Sequence, residues 1–184
     1  MFLKRMIDLS VAGLTLALLI WLLPIVAFFI KRDSLGPIFV RQNRVGKDGK
    51  IFKCIKLRTM HIGTQNIGTH EINANAITGA GRILRRIKFD ELPQLWNVLN
   101  GEMSLVGPRP CLPVQTDVIA ARDKYGVATL LPGISGLAQI NCIDMSQPRK
   151  LAAYDALYIR HASLCLDLYI IGVTILMSIR RARG

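Results

Sequence analysis

GRILRRIKFDELPQLWNVLNGEMSLVGPRP, residues Gly81 to Pro110, sets two adjacent carboxylates, Asp90 and Glu91, between Arg82, Arg85, Arg86 and Lys88 on one side and Arg109 on the other. The whole chain of 184 residues has 24 Lys+Arg against 12 Asp+Glu, so paired acids in a basic stretch are conspicuous. Leu92, Leu95, Trp96 and Leu99 follow at helical spacing, which places the pair at a helix N-terminus where the dipole and unpaired N–H groups favour negative charge. Pro93 fits a first turn, which has no N–H partner to lose. Asn100-Gly101 supplies the stop. An acidic pair at a helix start, surrounded by guanidinium groups, suits a carboxylate that works on a phosphate.

Toward the N-terminus, Leu9 to Ile30 contains no ionised side chain. As a helix it is about 33 Å long, enough for a hydrocarbon core. Lys4 and Arg5 precede it and Lys31 and Arg32 follow it. Positive charge tends to stay cytoplasmic, and here it sits on both flanks. Pro24 lies inside the run, where it removes a hydrogen bond and favours a kink. Two topologies stay open on these residues: a straight span, and a bent helix that enters and leaves by the cytoplasmic face. The long apolar run, with no small-residue cleavage site before Lys31-Arg32-Asp33, fits a cleaved signal peptide less well. Residues 1–32 therefore read as a membrane helix and 33–184 as one catalytic unit with interfacial C-terminal helices. The formal charge of +12 and a pI near 10.1 call for an anionic partner, which nucleic acid, acidic lipid and a phosphorylated substrate all satisfy.

Between Lys31 and Met60 stand nine basic residues and two acids. Pro37–Gln42 and Ile51–Leu57 read as short strands joined by Gly46-Lys47-Asp48-Gly49-Lys50, with Asp-Gly a good hairpin turn. Residues 61–76 show no period and read as a mobile loop. Leu131 to Asn141, LPGISGLAQIN, places Pro132, Gly133 and Gly136 in a loop able to bring backbone N–H groups near a ligand. From Lys150 to Ile179 the pattern is helical and amphipathic. It fits a helix lying in the interface with Arg180, Arg181 and Arg183 against lipid phosphates.

Several chemistries are excluded. Cys54, Cys111, Cys142 and Cys165 show neither pairing nor metal spacing, as in a reducing compartment, and His61, His70 and His161 are scattered. There is no GK[ST] phosphate loop, no GxSxG elbow and no internal repeat.

Jointly, several motifs resemble those of the bacterial sugar transferases of the monotopic phosphoglycosyl transferase family. They are Gly36-Pro37 with Gln42, Arg44 and Gly46; Lys56-Leu57-Arg58-Thr59-Met60; Ile77-Thr78 through Gly81 with Leu84-Arg85; Asp90 to Leu95 with Asn97-Val98-Leu99; Met103 to Pro110; and Pro132-Gly133 with Gly136 and Gln139. The similarity runs almost end to end, at a length matching the family's minimal form. It implies transfer of a sugar 1-phosphate from a UDP-sugar to a polyprenyl phosphate, with UMP released, at the cytoplasmic face of a bacterial inner membrane. It further implies that Asp90 is the nucleophile that forms an aspartyl phospho-sugar, that Glu91 holds Mg²⁺ and that Arg85 orients the pair. Lys56, Arg58 and Arg109 would meet phosphate oxygens, and Gln139 would line the substrate site. Pro24 would break a re-entrant helix with both ends cytoplasmic. The implied partners are UDP-sugar, polyprenyl phosphate and anionic inner-membrane lipid, with no nucleic acid; homodimerisation stays open.

The chain departs from the family pattern in places. Leu23 precedes Pro24 where Ser is common, Leu57 replaces a usual Phe, Leu131 replaces a basic residue, and Ile140 to Ile143 replaces Val-Asn-Gly-Arg. These touch the bend and substrate identity, not the Asp-Glu chemistry. The expected fold is α+β and mainly helical: a re-entrant N-terminal membrane helix, a small β-hairpin and amphipathic interfacial helices. The competing readings are a membrane-tethered basic module for nucleic acid or another polyanion, and a membrane-anchored phosphatase. Few basic and aromatic residues alternate as base-stacking surfaces require.

Overall fold

A computed structural model describes residues 2–64 and 74–183. The chain is α+β and mainly helical. The N-terminal apolar run forms one helix, α1 (Phe2–Asp33), about 48 Å long at 1.5 Å per residue. Pro24 lies inside α1 without ending it, so the expected break at this proline is not seen. A reason lies in the packing. Asp8, Ala12, Leu19 and Ile30 are buried, and Leu16, Leu23 and Val26 pack on the cores. These positions recur every three or four residues, forming one seam on both sides of Pro24. The rest of α1 is apolar and exposed, with Leu18 at 71% and Trp21 at 80%.

Both ends of this helix are tied to the same body. Lys4 Nζ pairs with Asp167 at 2.7 Å and donates to the Val106 carbonyl. Arg5 donates to the carbonyls of Val98 and Met103, and the buried Asp8 carboxylate accepts from Ser104 Oγ at 2.7 Å. At the other end, Arg58 caps α1 by donating to the carbonyls of Ile30, Ser34 and Leu35. Asp33 accepts from the Ala80 amide.

β1 (Phe39–Val45) and β2 (Ile51–Leu57) pair antiparallel as expected, the first strand lying a few residues later than its pattern indicated. The turn works because Asp48 and Gly49 both take left-handed backbone, at φ 54° and 72°. Residues 65–73 of the expected mobile loop lie outside the described residues; Ala74–Ala76 is a 3-10 turn, and Met60 bridges Ile77. Thr78 caps α2 (Gly79–Arg86) through the Gly81 amide.

The helix after the acidic pair, α3 (Gln94–Leu99), is short and ends at Gly101, where φ is +81° and the amides of residues 101 and 102 close back onto Val98 and Asn97. Two three-residue strands then pair parallel, β3 (Ser104–Val106) and β4 (Gly133–Ser135), where only a loop was legible at 131–141. The approach is backbone to backbone: a Cβ on Gly133 would sit 2.1 Å from the Gly107 nitrogen. Around them lie α4 (Thr116–Asp123), α5 (Leu137–Ile140), α6 (Pro148–His161) and α7 (Leu164–Arg183). The single helical pattern expected over 150–179 is therefore divided, with Ser163 Oγ accepting from the Leu166 amide at the start of α7. Leu95, Val98, Met103, Val106, Tyr158 and Ile170 form the main core under β2 and α3. α7 turns buried Asp167 and Ile170 inward and leaves Leu168, Tyr169 and Leu176 exposed.

Candidate active site

Asp90 and Glu91 lie in a 3-10 turn, Phe89–Glu91, and not in the first turn of α3, which begins three residues later. Lys88 starts the turn in left-handed conformation at φ 57°. Both carboxylates are buried to 8% exposure beside a cavity of about 900 Å³. Cationic side chains from four elements border it: Arg44 and Lys56 from the hairpin, Arg85 from α2, Arg109 from the loop after β3, and Arg181 from α7, with Lys88 beside the acids.

The two acids have opposite circumstances. Arg109 grips Glu91 with its fork, Nη2 to Oε1 at 2.5 Å and Nη1 to Oε2 at 3.5 Å, and Lys56 Nζ stands 3.4 Å from Oε1. Burial alone would raise the Glu91 pKa, yet Arg109 and Lys56 hold it well below the usual carboxylate range. The same pairing raises Arg109. The Asp90 carboxylate makes no hydrogen bond among the described residues. Its pKa is raised, by burial first and by the neighbouring Glu91 charge second, with Lys56, Arg85 and Arg109 pulling it back. Glu91 is thus held as an anion by two cations, whereas the Asp90 carboxylate borders the cation-lined cavity without a hydrogen-bond partner among the described residues.

Arg109 is held from behind. Four successive carbonyls are occupied: Pro108 by the Gly133 amide, Arg109 by Arg122 Nη1 at 2.9 Å, Pro110 by Arg44 Nη1 at 3.0 Å and Cys111 by the Val45 amide. Arg122 is itself buried against Asp155, with Nε 2.9 Å and Nη2 2.8 Å from Oδ2. Asn97 does similar work under the acidic pair. It accepts from the Ile55 amide and donates to the Lys53 carbonyl and Glu102, fixing α3 against the strand that carries Lys56.

Of the residues singled out from sequence, Lys56, Arg85, Asp90, Glu91, Arg109 and Gln139 converge on the cavity. Arg85 donates to Thr59 Oγ1 at 2.8 Å and reaches Asp90 through charge, with no hydrogen bond to either acid among the described residues. Arg58 borders the cavity, and its fork donates to the carbonyls that end α1, which makes it a helix cap. Gln139 donates to the Ile134 carbonyl, and its buried Oε1 has no hydrogen-bond partner among the described residues. Sequence reasoning assigned no role to Lys88, Arg122, Asp155 or Asn97, and it placed Arg181 on lipid alone. Only the left-handed backbone at Lys88, invisible in sequence, singles it out. Buried Arg44, with a pKa lowered to about 10 by burial and then by Arg109, remains a cation that braces the loop.

No cluster of three or more His, Cys, Asp or Glu side chains able to hold a metal occurs among the described residues. Mg²⁺ needs less, since one or two carboxylates with substrate phosphates and water complete its octahedron. The site fits this. Oε1 of Glu91 is taken by Arg109 and Lys56, but Oε2 carries one long contact and keeps open lone pairs.

These parts define a class: a membrane-associated α+β domain with a buried carboxylate pair beside a cation-lined cavity. The chain belongs to the bacterial sugar transferase family, whose model matches residues 1–181. It is 40% identical over 181 residues to a UDP-glucose:undecaprenyl-phosphate glucose-1-phosphate transferase of Caulobacter vibrioides, covering 94% of this chain and 68% of that protein. It is 36% identical to the uncharacterized sugar transferase EpsL of Bacillus subtilis, over 95% of this chain and 86% of the relative. A UDP-galactose-lipid carrier transferase of Erwinia amylovora is 35% identical over 98% of this chain, which spans 41% of that longer protein.

Proposed function

We propose that this chain transfers a sugar 1-phosphate from a UDP-sugar to undecaprenyl phosphate through a covalent intermediate on Asp90. The observation that carries this is the division of labour in the acidic pair, with Glu91 locked by Arg109 and Lys56 and Asp90 unengaged. An Asp90 oxygen attacks the β-phosphorus, the bond to the bridging oxygen breaks, and UMP leaves with that electron pair. A lipid phosphate oxygen then attacks the same phosphorus, and the bond to Asp90 breaks to restore the carboxylate. Lys56 and Arg109 supply fixed positive charge where phosphate oxygens gather, so little reorganisation is needed as the transition state forms. Glu91 and the diphosphate would hold Mg²⁺, which when bound neutralises phosphate charge and stabilises the departing UMP. The relatives named as undecaprenyl-phosphate sugar-phosphate transferases support the donor and acceptor classes. A polyanion-binding module leaves an unengaged buried carboxylate unexplained, since Asp90 would repel a phosphate backbone.

The same reading places the protein at the cytoplasmic face of the bacterial inner membrane with anionic lipid around it. A helix that crossed the bilayer would carry one end away from the cytoplasmic body. Lys4, Arg5 and Asp8 at one end of α1, and Asp33 and the cap from Arg58 at the other, bond to that one body. Both ends therefore lie on one side, with the exposed apolar face of α1 in lipid.

Intact-mass measurement after incubation with a UDP-sugar and Mg²⁺ tests the chemistry. The wild type should gain one phospho-sugar and release UMP, and Asp90→Asn should do neither, because an amide cannot replace the attacking oxygen anion. Free phosphate as the product would point to a phosphatase, and an adduct persisting in Asp90→Asn would remove Asp90 from its role.

A further inference from the structure

We infer that Lys88 and Arg181 form a separate subsite for the phosphate monoester head group of the lipid acceptor, where α7 meets the cavity. This rests on the transferase reading above. The acceptor must present one oxygen to the phosphorus opposite Asp90 while its remaining oxygens carry up to about two negative charges. Cations must answer those charges. Lys56 and Arg109 are engaged with Glu91, and Arg44 with Gln42 and the Pro110 carbonyl.

Lys88 and Arg181 are not engaged in this way. Neither side chain has a hydrogen bond or ion pair with an acid among the described residues, and both border the cavity that holds Asp90. Lys88 stands two residues before Asp90 on left-handed backbone, a conformation costly for a lysine and kept where surrounding structure fixes it. Burial disfavours its charge, and Arg109 and Arg181 add repulsion that Glu91 and Asp90 offset in part. A half-buried cation with other cations around it is completed by a bound anion. Arg181 belongs to the last turns of α7, where Arg86 Nε donates to its carbonyl. The outward face of the same helix exposes Leu176 at 57% and Ile179 at 45%. A lipid lying along that face brings its phosphate to Arg181, a route with no counterpart for a soluble nucleotide sugar.

Single-turnover measurements on the full chain in nanodiscs test this. Lys88→Asn, which tolerates the left-handed backbone, and Arg181→Gln are compared with wild type. Discharge of the Asp90 adduct by polyprenyl phosphate should slow about tenfold or more in either variant, the loss expected for a hydrogen bond to a charged group. Adduct formation from the UDP-sugar should fall far less. Equal loss in both half-reactions, or undiminished discharge, overturns the subsite. Vesicle flotation decides independently of turnover, and so separates failure of the subsite from failure of the transferase reading. Phosphatidylcholine vesicles carrying polyprenyl phosphate should retain more wild type than either variant, while vesicles carrying phosphatidylglycerol should not distinguish them. Equal retention on polyprenyl phosphate vesicles, or equal losses on both anionic vesicles, overturns the proposal.

Discussion

Asp155 and Arg122 form a buried ion pair at 2.8 Å directly behind the active-site loop, and Arg122 passes the restraint on by donating to the Arg109 carbonyl. Removing one partner of a buried pair leaves an uncompensated charge, whereas the pair itself adds little net stability. Its value lies in holding the Arg109 fork on Glu91. In a double-mutant cycle, Arg122→Lys should lower the rate of adduct formation strongly in wild type and only slightly in Arg109→Lys. Additive losses would mean that Arg122 serves general stability alone.

Arg109→Lys should itself cost about 1.5–3 kcal/mol in kcat/KM, the usual worth of a hydrogen bond to a charged group, because an ammonium cannot make the two-bond grip on Glu91 and phosphate. Lys50→Arg on the hairpin turn is the comparison. Equal kcat/KM for Arg109→Lys and wild type would show that the fork is not used in the reaction.

The proposed attack by Asp90 needs its ionised form, and burial and Glu91 raise its pKa above the ordinary value. Activity should therefore fall as pH drops through that raised value, at a higher pH than an unperturbed aspartate would give. Glu91→Gln removes the like charge and frees Arg109 and Lys56 to act on Asp90. The acid limb should move to lower pH even as turnover declines. A pH profile of single-turnover adduct formation reads the shift, and an unmoved limb would contradict the electrostatic assignment.

Asn97→Ala strips partners from the Ile55 amide and the Lys53 carbonyl. The expected destabilisation is on the order of 1–3 kcal/mol, from two part-buried backbone groups left without their side-chain partner. Thermal unfolding in detergent measures it. A loss below about 0.5 kcal/mol would show that water replaces the side chain.

The seam along α1 predicts that its N-terminus is held by Lys4 and Asp167 more than by Pro24. A cysteine placed at residue 2 should resist a membrane-impermeant maleimide in intact cells, in wild type and in Pro24→Ala alike. Lys4→Ala combined with Asp167→Asn should increase labelling. Full periplasmic labelling of the otherwise unchanged protein would establish a spanning helix, leaving the Asp90 chemistry intact.

Three stretches of the sequence by themselves determined much of this protein. Two adjacent acids in a strongly basic chain single out the candidate site, and Asp48-Gly49 sets a hairpin because such residues accept its left-handed turn. An uncharged, mostly apolar run from Leu9 to Ile30 has the length and composition of a membrane-type helix. These features were legible because they depend on local backbone preference, periodicity and composition. Tertiary structure alone decided which cations do what. Arg58 and Arg109 are the same residue type in equally basic surroundings, yet one caps α1 and the other grips Glu91. The difference arises from which carbonyls and carboxylates lie within 3.5 Å after folding. β3 and β4 escaped notice for a related reason: three residues are too few to show a period, and their pairing depends on Gly107 meeting Gly133 across a separation of 26 positions. Asp90 and Glu91, adjacent in sequence and chemically alike, acquire opposite proton affinities only because Arg109 and Lys56 arrive from distant segments and close on one of them.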